Sequence, residues 1–349
     1  MYTNDIKKAE KNQMKILSDK DKKGKERPWR EKKLKSLELS KSYERIGNKR
    51  KASRVKKCSS QLIYKKEKTT GNKKLHSMIS CQVRLCPLCN WRRSLKIYGQ
   101  TSKVMDEALK EKEYRFVFLT LTCKNIYSED LSQTIDNLFH SFKKLTERKQ
   151  IKKVVKGWFR ALEVTHNLDD KSKYYNTYHP HFHIILMVNK SYFKHTDEYL
   201  TQKDWTSIWK DCLKADYTPI VNVKAFKTGT KKKVQKSVAE SAKYTVKDND
   251  YLISNDEKMT DETVAILDRA LANRRLVAFG GELRKIHKSL NLSDIEKASV
   301  HTDSEDDVEL RSDVEYVLET YNWNIGYSNG QYVKSKEIEF KEDKNKDID

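Results

Sequence analysis

His179-Pro180-His181-Phe182-His183-Ile184-Ile185-Leu186 is the stretch on which the reading of this chain turns. In extended backbone, side chains alternate faces with period two. His181 and His183 therefore share one face, and Phe182 and Ile184 share the other. A strand over 179–188 would bury its Phe/Ile side in a core and offer two imidazoles side by side on its opposite side, a donor pair suited to a divalent cation. The plainer alternative is a pair of polar residues on a half-exposed strand.

The flanking sequence supplies partners for that strand. Tyr114–Thr122 (YRFVFLTLT) is β-rich and mostly apolar, as a central strand should be. Ser128 is placed to cap a helix whose apolar residues Leu131, Ile135, Leu138, Phe139, Phe142 and Leu145 recur at helical spacing. Gly157–Thr165 reads as a second strand, and the polar stretch 167–178 as the loop of an antiparallel hairpin. Trp205, Ile208, Trp209 and Cys212 share one helical face, Tyr217–Phe226 reads as a fourth strand, and 233–246 as a helix. A helix over 260–276 and a short strand Leu276–Phe279 follow. The order β-α-β-β-α-β-α predicts the α+β class: an antiparallel sheet with split-βαβ, ferredoxin-like topology, preceded by a small cysteine-rich segment.

The chain has 349 residues and a formal net charge of +22, unevenly spread. Residues 1–75 carry net +17, residues 76–290 net +14, and residues 291–349 net −9. A basic body of this size points to a polyanion, most simply nucleic acid. No apolar run is long enough to span a bilayer, and the lysine-rich N-terminus lacks the apolar core of a signal peptide, so the reading is cytoplasmic with no membrane partner. Composition divides the chain into a basic flexible segment (1–55), a cysteine cluster (56–100), a packed domain (110–290) and an acidic C-terminal segment (291–349). The first has too little apolar surface to offset its ordering entropy. The last reads as peripheral.

Three further constellations carry chemistry. Glu163, in the strand paired with 179–188, can approach His181 and His183; two imidazoles and a carboxylate leave positions open for substrate and suit Mg²⁺ or Mn²⁺. Otherwise Glu163 is a surface carboxylate paired to a lysine. His179 shares the parity of His181 and is a substitute ligand, while His140 and His166 read as ordinary polar residues. Glu240 and Tyr244 are four apart on the helix of 233–246 and so neighbours on one face; a carboxylate there can activate the phenol or a water. The alternative is a tyrosine packed on the sheet beside a solvated glutamate. Lys243 and Lys247 flank the pair and can neutralise a phosphate. Cys58, Cys81, Cys86 and Cys89 (x22, x4 and x2 between them) suit tetrahedral structural Zn²⁺, with His76 able to replace Cys58. Unligated core thiols are the alternative. Arg92 and Arg93 follow the cluster and are expected to contact DNA phosphates; Cys123 and Cys212 read as core residues.

Phe118-Leu119-Thr120-Leu121-Thr122, the histidine octet and Glu240-Ser241-Ala242-Lys243-Tyr244-Thr245-Val246-Lys247-Asp248 occur in this order. Together they resemble the Rep initiators of small rolling-circle plasmids of Gram-positive bacteria, within the HUH endonuclease superfamily. The resemblance spans roughly 56–290. It implies an HUH palm, a metal-dependent single-strand nicking and joining activity at a plasmid origin, Mg²⁺ or Mn²⁺ on His181 and His183 with Glu163 as third ligand, Tyr244 as nucleophile and Glu240 as activator of water at termination. It also implies a 5′-phosphotyrosine intermediate, a nick site that is single-stranded or extruded, and host helicase and DNA polymerase as partners. The rival reading is a zinc-stabilised basic DNA-binding regulator that performs no chemistry.

Overall fold

The structure is a computed structural model that describes residues 15–21, 23–110, 114–194, 198–225, 238, 246–296 and 314–340. In chain order its elements are α1 (Trp29–Arg45), α2 (Lys49–Lys57), β1 (Gln61–Glu67), β2 (Lys73–Met78), α3 (Pro87–Ala108), β3 (Tyr114–Thr122), α4 (Leu131–Glu147), α5 (Lys149–Val154), β4 (Val155–Asn167) and β5 (Thr177–Asn189). There follow α6 (Gln202–Leu213), β6 (Val221–Ala225), α7 (Glu257–Ala270), β7 (Val277–Gly281), α8 (Glu282–Ser289), β8 (Tyr316–Asn324) and β9 (Gln331–Phe340). The class is mixed α+β with two antiparallel sheets, in two compact units.

The first unit comprises Met1–Glu44, Asn48–Cys89 and Ser299–Asp349, with sheet order β2-β1-β8-β9. Its core holds Tyr64, Tyr321 and Trp29, with Tyr64 edge-on to both of the others. Buried Asp19 accepts hydrogen bonds from Trp29 Nε1 (2.7 Å) and the Tyr64 hydroxyl (2.9 Å). Helix α1 buries Trp29, Lys33, Ser36, Ser40 and Tyr43, a face of period about 3.5 written partly in lysine and serine. Hydropathy alone cannot see such a face, which is why a flexible segment is expected there and a packed helix is found. The acidic segment differs likewise: read as peripheral, it supplies β8, an inner strand of this sheet, and β9, its edge. Glu319, 1% exposed on β8, meets Lys66 (3.1 Å) of β1, Lys334 (2.8 Å) of β9 and the Tyr321 hydroxyl (2.8 Å). An acidic strand is thus neutralised by basic neighbours, and net charge misled the reading. Gly330 (φ +100°) closes the β8–β9 hairpin where a Cβ would overlap the Trp323 ring.

The second unit comprises Arg45–Gly47 and Asn90–Ala298, with sheet order β6-β3-β5-β4-β7, every neighbouring pair antiparallel. The strand parity read from the octet is realised. Phe182 lies against Phe139 (5.4 Å) and Phe142 (5.6 Å) of α4, whose Leu131, Ile135, Leu138 and Leu145 are also buried. Each such aliphatic side chain contributes about 1.5–3 kcal/mol on burial. The Arg160 guanidinium is sandwiched among Phe139, Phe142 and Phe182 on the same face. Helix α6 starts at a capping box between Thr201 and Asp204 and buries Trp205, Ile208, Trp209 and Cys212. Trp209 Nε1 donates to the Thr122 carbonyl at 2.8 Å, tying the helix to β3.

Boundaries expected from the sequence hold closely for β3, β4, β5 and β7. Ser128 does not cap α4: it opens a short 3-10 turn, its hydroxyl donates to Glu129 at 3.0 Å, and the helix begins at Leu131. The helix expected over 233–246 falls almost wholly outside the described residues.

Candidate metal centres and active site

Strands β4 and β5 pair so that Glu163 stands directly opposite His181, while His183 stands opposite Ala161 on one side and Thr120 of β3 on the other. Paired residues share a face of the sheet. Glu163, His181 and His183 consequently converge on the face opposite Phe182, with one potential ligand atom from each within 4.8 Å of the others. Glu163 Oε2 lies 2.7 Å from His183 Nε2 and 3.6 Å from His181 Nε2.

The histidine rings are oriented by their surroundings. His181 Nδ1 donates to the His179 carbonyl at 3.0 Å, which leaves its Nε2 lone pair toward Glu163. The ring of His183 stacks on Phe118. His183 Nδ1 is buried without a hydrogen-bond partner, an arrangement that suits a ring held chiefly through Nε2. His179 Nε2 is 3.0 Å from the Cys123 carbonyl, so its ring is engaged away from the carboxylate. Burial alone would raise the Glu163 carboxyl, but the adjoining imidazoles of His181 and His183 outweigh it and hold the group well below the usual carboxylate range. Two imidazoles and one anionic oxygen fit a divalent ion that accepts nitrogen, Mn²⁺ better than Mg²⁺.

Lys247, largely exposed, places Nζ 3.5 Å from Glu163 Oε1, putting a cation where a phosphate could approach. Sequence reasoning missed Asp250. Its carboxyl is pushed up to about 6, chiefly by burial and also by the charge of Glu163, with Lys247 opposing, and its Oδ2 has no partner. The available signal was the pair of aspartates, Asp248 and Asp250, where the last motif ends. His166 is not an ordinary polar residue either: it is buried, stacked on Tyr178 at 4.4 Å, with Nδ1 3.1 Å from the Asp250 carbonyl. Glu240, Lys243 and Tyr244 lie outside the described residues.

In the other unit Cys58, Cys81, Cys86 and Cys89 form a second cluster, all four buried. Cys58 Sγ is 3.6 Å from Cys89 Sγ and 3.7 Å from Cys86 Sγ, and Cys81 Sγ is 3.6 Å from Cys89 Sγ. A Zn–S bond of about 2.3 Å gives a tetrahedron edge of roughly 3.8 Å, so the thiols already stand near ligand spacing. Crowding by Cys81, Cys86 and Cys89, followed by burial, pushes the Cys58 thiol well above its usual range. Binding a cation must then release protons. Cys58 belongs to the four-thiol group, while His76 lies on β2 against the Phe340 ring. Arg92 and Arg93, expected on phosphates, are buried (4% and 7% exposed), which removes them from the accessible cations. Among the described residues no helix is long and apolar enough to cross a membrane.

The fold and sites define an α+β protein with an imidazole–carboxylate group able to hold a divalent ion and a four-thiol cluster able to hold a second. Comparison with known proteins gives the family. The family model described as "Replication protein" matches residues 72–333, and the chain belongs to that family. It is similar to a "Protein rep" of Bacillus amyloliquefaciens, 39% identical over 92% of this chain and 98% of that protein. A "Protein rep" of Streptococcus pneumoniae serotype 2 is 37% identical over 93% and 98%, and one of Lactiplantibacillus plantarum 39% identical over 83% and 91%. No solved structure matches the chain.

Proposed function

We propose that the chain initiates rolling-circle replication of a plasmid by nicking one strand of its origin and later rejoining strands. The observation that carries this reading is the convergence of Glu163, His181 and His183 on one sheet face with Lys247 beside them. The sheet order β6-β3-β5-β4, the order of a split-βαβ fold, and membership of the replication protein family support it. A divalent ion held by Glu163, His181 and His183 would neutralise the scissile phosphate and fix its position.

The protein's own groups do the rest. The Tyr244 oxygen, deprotonated, attacks phosphorus; an O–P bond forms to tyrosine, the bond from phosphorus to the 3′-oxygen breaks, and that oxygen takes up a proton. The products are a 5′-phosphotyrosine and a 3′-hydroxyl that a host polymerase can extend once a helicase opens the duplex. The phosphodiester energy is retained in the link, so the step is reversible and strands can be rejoined. Lys243 and Lys247 screen phosphate charge, and Glu240 orients and deprotonates water at termination. The four cysteines hold structural Zn²⁺.

The test mixes supercoiled origin plasmid with protein and Mn²⁺ or Mg²⁺. Nicked circles carrying protein on the 5′ end are expected from the wild type, and none from Tyr244→Phe. Retardation without nicking by the wild type would instead establish a DNA-binding regulator. Glu240→Ala is expected to nick and to accumulate rejoined product; clean hydrolytic termination by that variant contradicts its role.

A further inference from the structure

Helix α1 sends two side chains of one face, Lys33 and Ser36, into the cysteine cluster. Lys33 is 1% exposed and Ser36 is fully buried. Lys33 Nζ donates to the Cys58 carbonyl at 2.5 Å and to the Lys56 carbonyl at 2.9 Å. One turn on, Ser36 Oγ lies 3.5 Å from Cys86 Sγ. Among the described residues no carboxylate pairs with Lys33; burial pulls its ammonium below the usual lysine range, and the groups that oppose this are the sulfurs of Cys58, Cys86 and Cys81.

Two carbonyl dipoles satisfy hydrogen bonds of an ammonium but do not balance its charge, and an unbalanced buried cation is strongly unfavourable. Four neutral thiols would leave Lys33 in that condition. Four thiolates around Zn²⁺ carry net charge −2, which a buried ammonium beside them offsets. We infer that Lys33 is the counter-cation of the tetrathiolate metal centre, so that loading the metal and seating α1 are one coupled event. The inference rests on the cysteines being a zinc site. It makes Lys33 a positioning residue and gives the basic N-terminal segment a fixed anchor. Coupling is reciprocal: whatever metal contributes to seating α1, the charge of Lys33 returns to metal affinity.

The test uses the full chain. Bound zinc is counted by atomic absorption, and affinity is measured by competition with a chromophoric chelator for wild type, Lys33→Met and the exposed control Lys41→Met. Loss of a partner beyond the ligands typically lowers metal affinity about 10–100-fold, and that drop is expected for Lys33→Met alone. With Co²⁺ in place of zinc, the sulfur-to-metal charge-transfer band of Lys33→Met should move to longer wavelength, because removing a nearby positive charge raises the sulfur donor level. A purely structural contact would leave that band in place. Stripping the metal from the wild type should speed amide exchange across α1 more than across β1 and β8, a measurement that needs no variant to fold. A Lys33→Met affinity within about twofold of wild type, an unmoved cobalt band, or unchanged α1 exchange on stripping each overturns the inference and leaves the zinc reading standing. A wild-type chain that binds no zinc overturns both.

Discussion

Glu163 Oε2 lies 2.7 Å from His183 Nε2 and 3.6 Å from His181 Nε2, and these two imidazoles keep its carboxyl ionised against the cost of burial. Glu163→Gln keeps the shape and removes the charge. It is expected to weaken Mn²⁺ binding about 10–100-fold, checked by titration, and to lower the Tm of metal-free protein at pH 7, because an ionised carboxylate held by two imidazoles contributes stability there. Asp250 runs the other way. Its pKa is raised to about 6 from the ordinary aspartate value of 3.8, so the folded state favours the protonated carboxyl. Its contribution to stability is full below pH 3.8 and is lost as pH rises through about 6. Asp250→Asn should therefore raise stability on the order of 1 kcal/mol at pH 7, after allowance for its partial exposure, and should make no difference at pH 3.5. Equal Tm profiles for variant and wild type would show that the carboxyl is not desolvated.

At the scale of elements, the acidic β8 strand shows charge used inside a sheet. Glu319 is depressed to about 2: burial opposes ionisation, and Lys334, Tyr321 and Lys66 more than compensate. Its stabilisation is present above the ordinary carboxylate range and is lost as pH falls from about 4.5 toward about 2. Glu319→Gln should cost on the order of 1–2 kcal/mol at pH 7 and nothing at pH 2, read from denaturant midpoints. On the helix-covered face of the other sheet, Phe182→Ala should cost about 3–5 kcal/mol by opening a cavity under Phe139 and Phe142. What was legible in the sequence follows from these examples. Period-two alternation around Phe182 and His183 and helical spacing in 131–145 are local signals, and they placed β3, α4, β4 and β5 and hence the Glu163–His181–His183 face. Where the buried face is polar, as at Lys33 and Ser36, or the partner strand is distant in sequence, as for β8 against β1, no local period carries the information. Arg92 and Arg93 show the converse, since a basic pair after a cysteine cluster gives no hint that tertiary packing will bury it.

For the whole molecule, net charge of +22 implies an electrostatic component in origin binding. If ~6–10 phosphates are neutralised, affinity should fall about 10³-fold or more between 50 and 200 mM salt. A flat salt dependence in filter binding would contradict a polyanion partner. The divalent centre is the more specific matter, and Mn²⁺ electron paramagnetic resonance on zinc-loaded protein addresses it directly. One bound Mn²⁺ with nitrogen hyperfine coupling is expected in the wild type, lost in the His181→Ala/His183→Ala double variant with the fold intact. Mn²⁺ bound equally well by the double variant, or bound without nitrogen coupling in the wild type, would contradict a metal site on the paired histidines.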